Sequence, residues 1–233
     1  MLKKLVIEID KKIISIYYED KYNDYEVPVV IINSFEEDGE KIYNKVKSKI
    51  NNEFILVSIS NIDWNSDLSP WKAKAVFKGE EDFKGMADEY IKTITFKIIP
   101  ELTSIIILNL DTHPKCFILG GYSLAGLFAI YALYKSSFIT KAFSASGSMW
   151  YPGFVEFVEK NELKRLPDKV YFSLGNKEAK TKNEIMSKVE ENTRKMVKLY
   201  KDKEIDVVYE ENEGNHFQDV EERIAKAIAW MIK

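Results

Sequence analysis

The chain has 233 residues, 45% of them hydrophobic, 13% aromatic and 30% charged, with a net charge of −3. That length suits one α/β domain burying roughly 70–75% of its unfolded surface, and interspersed charge of both signs argues against a nucleic-acid partner, which needs a basic face. No run approaches the ~18 apolar residues of a membrane span, and no apolar stretch of signal-peptide length follows Met1-Leu2-Lys3-Lys4-Leu5, so a soluble, cytoplasmic protein is the expectation.

In chain order, Leu5–Ile9 and Ile13–Tyr18 flank Asp10-Lys11-Lys12 as an opening hairpin. The β-branched run Val27–Ile32 reads as a strand covered on both faces. Glu36 to Ile50 carries Ile42, Val46 and Ile50 at helical spacing, and Phe54–Ile59 reads as another strand. Residues 60–78 form a long loop rich in Asn, Asp, Ser and Trp, of a length that is often functional. Phe83–Leu102 is expected to be helical, with Ile105–Leu110 either extending it or forming a separate segment.

Beyond these, Lys115–Leu119, Ala142–Ser146, Lys169–Leu174 and Ile205–Tyr209 read as strands. They alternate with helices over Ala125–Lys135, Phe154–Asn161, Lys182–Lys201 and Val220–Ile232. The last helix turns Ile224, Ala227, Ile228 and Met231 inward. Strands alternating with helices after a hairpin give an α/β fold, a mostly parallel central sheet with an N-terminal antiparallel hairpin and helices on both faces. Cys116, the single cysteine, sits in a strand and reads as packing; no disulfide or thiolate metal cluster can form within the chain.

Chemistry concentrates in Gly120-Gly121-Tyr122-Ser123-Leu124-Ala125-Gly126, between a short apolar strand and an apolar helix. Glycines let the backbone turn sharply there and lift the Ser123 hydroxyl to the top of the sheet, the arrangement of a G-x-S-x-G nucleophile elbow. The second position after the serine is Ala125 instead of glycine, with Gly126 next.

A serine hydroxyl needs a base, and the base needs an orienting group. The chain has two histidines. His113 precedes the strand leading to the elbow, at the amino end of the sheet. His216 follows the last strand, at the carboxyl end where reactive groups gather, and is the expected base. Glu178, in the loop after Lys169–Leu174, gives the order Ser, Glu, His of α/β-hydrolases; Asp219 and a Ser–His dyad remain open alternatives. An oxyanion needs N–H donors: that of Leu124, and a second from Asn33-Ser34-Phe35, with Phe35 favoured and Ser34 next. Trp64, Trp71, Trp150 and Tyr151 fall in loops on the same side and are expected to wall a pocket.

The order of these pieces resembles the esterase branch of the α/β-hydrolases that includes esterase D-like enzymes and siderophore esterases. The resemblance rests on Gly121–Ala129, Ser144–Trp150, Ser173–Glu178 and Gly214-Asn215-His216, and runs from the strand at 27 to the last helix. Asp67-Leu68-Ser69-Pro70-Trp71 is similar to a D-L-T-P segment of the siderophore esterase-like members, which adds Asp67 to the substrate-binding expectations. The arginine that commonly precedes that aspartate is Ser66 here, and the usual Asp-Gly after the third strand is Asn33-Ser34. The resemblance implies an α/β-hydrolase domain over residues 1–233 and a serine hydrolase of small-molecule carboxylic esters, without metal or organic cofactor. Thioesterase or acyltransferase activity, or a binding protein with a vestigial site, are the alternatives; oligomeric state is unread.

Overall fold

The computed structural model describes residues 1–35 and 38–233; Glu36 and Glu37, where the first helix is predicted to begin, lie outside the described residues. β1 (Leu2–Ile9) and β2 (Lys12–Glu19) pair antiparallel, with Ile9 opposite Lys12. The two residues between them, Asp10 and Lys11, both take positive φ, 50° and 66°. This is how a two-residue hairpin loop matches the twist of its strands. The turn is anchored from outside: Lys12 Nζ donates to Asp67 at 2.6 Å, and Asn61 Nδ2 donates to the Lys11 carbonyl at 2.7 Å.

β3 (Glu26–Asn33), α1 (Gly39–Lys47) and β4 (Ile55–Ser60) follow. The predicted loop at 60–78 contains a single-turn helix, α2 (Trp64–Asp67), capped by the Asp63 side chain, and the short strand β5 (Lys72–Ala73). β5 pairs with β6 (Phe83–Lys84), so the helix predicted from Phe83 starts later. Gly85 is the reason. Its φ of +76° breaks any helix there, and a Cβ on it would fall 2.5 Å from the Trp71 backbone. α3 (Ala87–Thr93) then runs through one π-helical turn, Ile94–Ile98, into α4 (Ile99–Asn109), so Ile105–Leu110 extends the helix.

β7 (His113–Tyr122), α5 (Leu124–Ala132), β8 (Ile139–Ala145), α6 (Phe154–Lys160) and β9 (Lys169–Gly175) come next. The helix predicted from Lys182 begins with a 3₁₀ turn at Met186–Lys188 and becomes α7 at Val189–Lys201. The Asn183 side chain accepts from the amides of Ile185 and Met186 and starts it there. β10 (Asp206–Asn212) and α8 (Val220–Ile232) close the chain.

Eight strands form one sheet in the order β1-β2-β4-β3-β7-β8-β9-β10, antiparallel at β1 and β2 and parallel from β4 onward. Alternation along the central strands feeds two cores. Val29, Ile31, Leu119, Ala142 and Phe172 face α3 to α7; Val30, Ile32, Ile118, Phe143 and Tyr171 face α1 and α8. Cys116 is half-buried, and burial pushes its thiol pKa up. No helix among the described residues is long and apolar enough to cross a membrane. The chain steps outward from β3 to β4, then returns to lay β7 on the other side of β3. Strand order reverses there, and a crevice opens beyond the carboxyl ends of β3 and β7.

Candidate active site

Ser123 follows the last residue of β7 with φ 57° and ψ −123°, a conformation that costs an L-residue on the order of 1–3 kcal/mol and persists only where neighbours hold it. They do so from both sides. The Ser123 N–H donates to the Ala145 carbonyl at 3.1 Å, and its own carbonyl accepts from Gly126 at 3.0 Å and Ser148 at 3.1 Å. The departure at Ala125 is accommodated by a glycine four residues earlier. A Cβ on Gly121 would lie 2.5 Å from the Ala125 Cβ and 2.9 Å from its carbonyl carbon. Gly121→Ala is therefore expected to cost about 1–3 kcal/mol in urea unfolding; a loss below ~0.5 kcal/mol would show that the turn yields.

His216 lies between β10 and α8, and its Nε2 is 3.0 Å from Ser123 Oγ. Its Nδ1 is 2.7 Å from Glu178 Oε2. With Nδ1–H donating to the carboxylate, the Nε2 lone pair faces the serine O–H. The His216 loop is pinned by two further neighbours. Asn176 uses its Oδ1 to accept the Gly214 N–H at 3.0 Å, and the Tyr122 hydroxyl donates to the His216 carbonyl at 2.8 Å.

Arg223 is the largest addition. It sits on α8, 1% exposed, and its guanidinium donates to Glu178 Oε1 at 2.8 Å, Ser146 Oγ at 2.9 Å, and the carbonyls of Glu213 at 2.8 Å and Asn215 at 3.0 Å. It thus ties the acid to the loop that carries the histidine. The signal was present: Arg223 is four residues before Ala227, on the inward stripe of the last helix. The Glu178 side chain is itself 4% exposed. Burial pushes its carboxyl up, but the His216 bond and charge and the Gly175 N–H at 2.7 Å outweigh that and hold it below the usual carboxylate range. Arg223→Met strips a buried ion pair of one partner and is expected to cost about 3–5 kcal/mol in chemical denaturation; a cost under ~1 kcal/mol would mean that Glu178 is satisfied without it.

The first N–H groups of α5 have no intrahelical partner, and that of Leu124 is the first. Of the two donors considered after β3, the Ser34 N–H is already given to the Ile59 carbonyl at 2.9 Å. Phe35 is left as the candidate. It is 79% exposed, and its ring meets Trp64 edge-on at 5.5 Å.

Two cavities of about 560 and 700 Å³ meet at Ser123 and His216. Phe35 and Trp64 line both, and Trp150 lines the larger. Tyr151 and Asp67 fall outside both linings. Tyr151 is 1% exposed, its hydroxyl bonded to the Trp71 carbonyl, and Trp71 packs beside it against Tyr131 and Phe157. Asp67 is engaged by Lys12 and the Asp63 N–H. Ser66, in place of the arginine, is buried in α2 with its N–H on the Asp63 side chain. His113 lies ten strand residues from Ser123, roughly 33 Å away, with its ring against Tyr25 at 4.6 Å. Asp219 occupies the N-cap position of α8 in a left-handed conformation, with no side-chain bond to the helix. Among the described residues, no group of three or more His, Cys, Asp or Glu is disposed to hold a metal ion.

No family model matches the chain. A curated protein of Bacillus subtilis, the uncharacterized protein YbbA, is 29% identical over 152 residues, which span 65% of this chain and 60% of that protein, less than two thirds of its length. Among solved structures, an IroE-like serine hydrolase from Shewanella oneidensis superposes with a TM-score of 0.76 at 17% identity, covering 100% of this chain and 80% of that one. The siderophore hydrolase EstB from Aspergillus nidulans gives 0.69 at 16%, covering 99% and 94%. The enterochelin esterase from Shigella flexneri gives 0.71 at 13%, covering 99% and 57%. At these identities the likeness is one of architecture, and the chain has the α/β-hydrolase fold in the form that siderophore esterases and IroE-like serine hydrolases share.

Proposed function

We propose that this protein is a serine hydrolase that cleaves small-molecule carboxylic esters. The observation that carries the reading is the hydrogen-bonded run from Ser123 Oγ through His216 to Glu178, 3.0 Å and then 2.7 Å, beside two cavities at the strand-order reversal. Ser123 Oγ attacks the acyl carbon while His216 Nε2 takes its proton. Glu178 keeps the proton of the neutral ring on Nδ1 and stabilises the imidazolium that forms. The N–H groups of Leu124 and Phe35 hold the oxyanion. His216 then gives the proton to the departing alcohol, and water, activated by the same imidazole, releases the acid from the acyl-enzyme. Structures of the same fold described as esterases and serine hydrolases support the reaction class.

A fluorophosphonate probe tests this directly. Labelling confined to Ser123, lost in Ser123→Ala, together with hydrolysis of 4-nitrophenyl acetate, is the expected result. A folded protein that neither labels nor turns over any neutral ester would overturn the proposal.

A further inference from the structure

We propose that the site selects esters carrying a positive charge over esters carrying a negative one; this rests on the ester-hydrolase reading and adds the sign of the substrate to it. The nucleophile makes the two cavities the site, and their linings decide what enters. The larger, about 700 Å³, is walled by Trp64, Phe77, Trp150 and Phe217, and its acidic or basic lining groups other than His216 are Asp63, Glu80 and Glu81. The smaller adds Asp38 and Glu221. Among the described residues no lysine or arginine lines either cavity.

One cation stands behind the larger wall. Lys84 Nζ is 3.0 Å from Asp63 and 3.5 Å from Glu81, and it offsets one of those three carboxylates. The Glu80 and Glu221 side chains have no ion pair or hydrogen bond among the described residues. An anionic ester entering here gives up hydration against aromatic rings and meets an acidic lining that Lys84 offsets only in part, with Glu80 and Glu221 uncompensated among the described residues. A cationic group gains from both surfaces, since ring faces and carboxylates each attract it. Neutral esters sit between.

The test uses matched esters in which only the charge changes. With the charge on the alcohol, these are choline acetate, 3,3-dimethylbutyl acetate and 3-sulfopropyl acetate. With the charge on the acyl arm, they are 4-nitrophenyl esters ending in trimethylammonium, tert-butyl or carboxylate, so that each arm is tried in the larger cavity. In at least one series kcat/KM is expected to fall from cation to neutral to anion, with the extremes at least about tenfold apart, equivalent to ~1.4 kcal/mol. That ratio should shrink in about 0.5 M salt and drop about threefold in Glu80→Gln or Glu221→Gln. Turnover of the neutral esters with no charge preference, or with the anion favoured, in both series would overturn this inference and leave the esterase reading standing. Absence of turnover for every ester, with Ser123 unlabelled, would overturn both.

Discussion

Ser123→Ala is expected to lower ester turnover by about 10⁴- to 10⁶-fold, down to the level that the oxyanion donors and binding alone provide. The fold should survive the change. The 57° φ of this residue is held by backbone bonds to Ala145, Gly126 and Ser148, none of which uses the hydroxyl. What disappears is the hydroxyl oxygen 3.0 Å from His216 Nε2, the proposed nucleophile. The Ser148 hydroxyl, 3.3 Å from Ser123 Oγ, belongs to a turn whose amide is committed to the Ser123 carbonyl, and does not take over. Steady-state kinetics with 4-nitrophenyl acetate and an unchanged thermal melt are the measurements; a residual rate above about one hundredth of the parent would place the nucleophile elsewhere.

Glu178→Gln carries the second largest effect, a loss of roughly 10³- to 10⁴-fold in kcat/KM. The volume is kept and the chemistry reversed. A carboxylate accepts from His216 Nδ1, whereas an amide nitrogen there donates to it, leaving the imidazole proton on Nε2 and facing the serine. An Nε2–H cannot take the serine proton, so the site is assembled in the wrong tautomer. A loss smaller than about tenfold would favour a Ser–His dyad.

The same substitution has a signature in stability. The folded pKa of Glu178 lies below its unfolded value, because His216 and the Gly175 N–H outweigh burial. Its ionisation therefore contributes stability above the unfolded carboxyl range, near pH 4.3, and that contribution is lost as pH falls through the lower folded pKa. The stability gap between the parent and Glu178→Gln should accordingly be widest at neutral pH and close below about pH 4. Urea midpoints from pH 3 to pH 7, on the scale of that linkage, read it.

The sheet and the elbow were legible because they are written in local periodicity: β-branched runs, a glycine-flanked serine, and helices with one apolar stripe. The histidine was legible by elimination, since two exist and one lies at the wrong end of β7. Glu178 was legible through chain order alone. What stayed hidden depends on contacts far apart in sequence. Arg223 looks like one more charge on an amphipathic helix until the fold sets Glu178, 45 positions away, against it. Trp150 and Tyr151 are adjacent in sequence, and only the fold shows one facing the cavity and the other facing Phe83 and Trp71. The stretch from 60 to 85 defeats periodicity altogether, because a one-turn helix and two-residue strands are shorter than any pattern. Between Ser34 and Phe35, the choice of oxyanion donor hangs on one backbone bond to Ile59.

The lysine that follows the opening hairpin turn joins two regions with separate duties. By holding Asp67, it fixes the far end of the single helical turn whose first residue, Trp64, walls both cavities. Ser123, His216 and Glu178 hang instead from the carboxyl ends of β7, β10 and β9, on the opposite side of β3. Loss of the Lys12–Asp67 contact therefore reaches the wall of the entrance first, at Trp64 and the Phe35 ring set edge-on against it. Lys12→Met, which leaves the buried Ile14 and Ile16 of β2 in place, should change which molecules are accepted before it changes how fast an accepted one is cut.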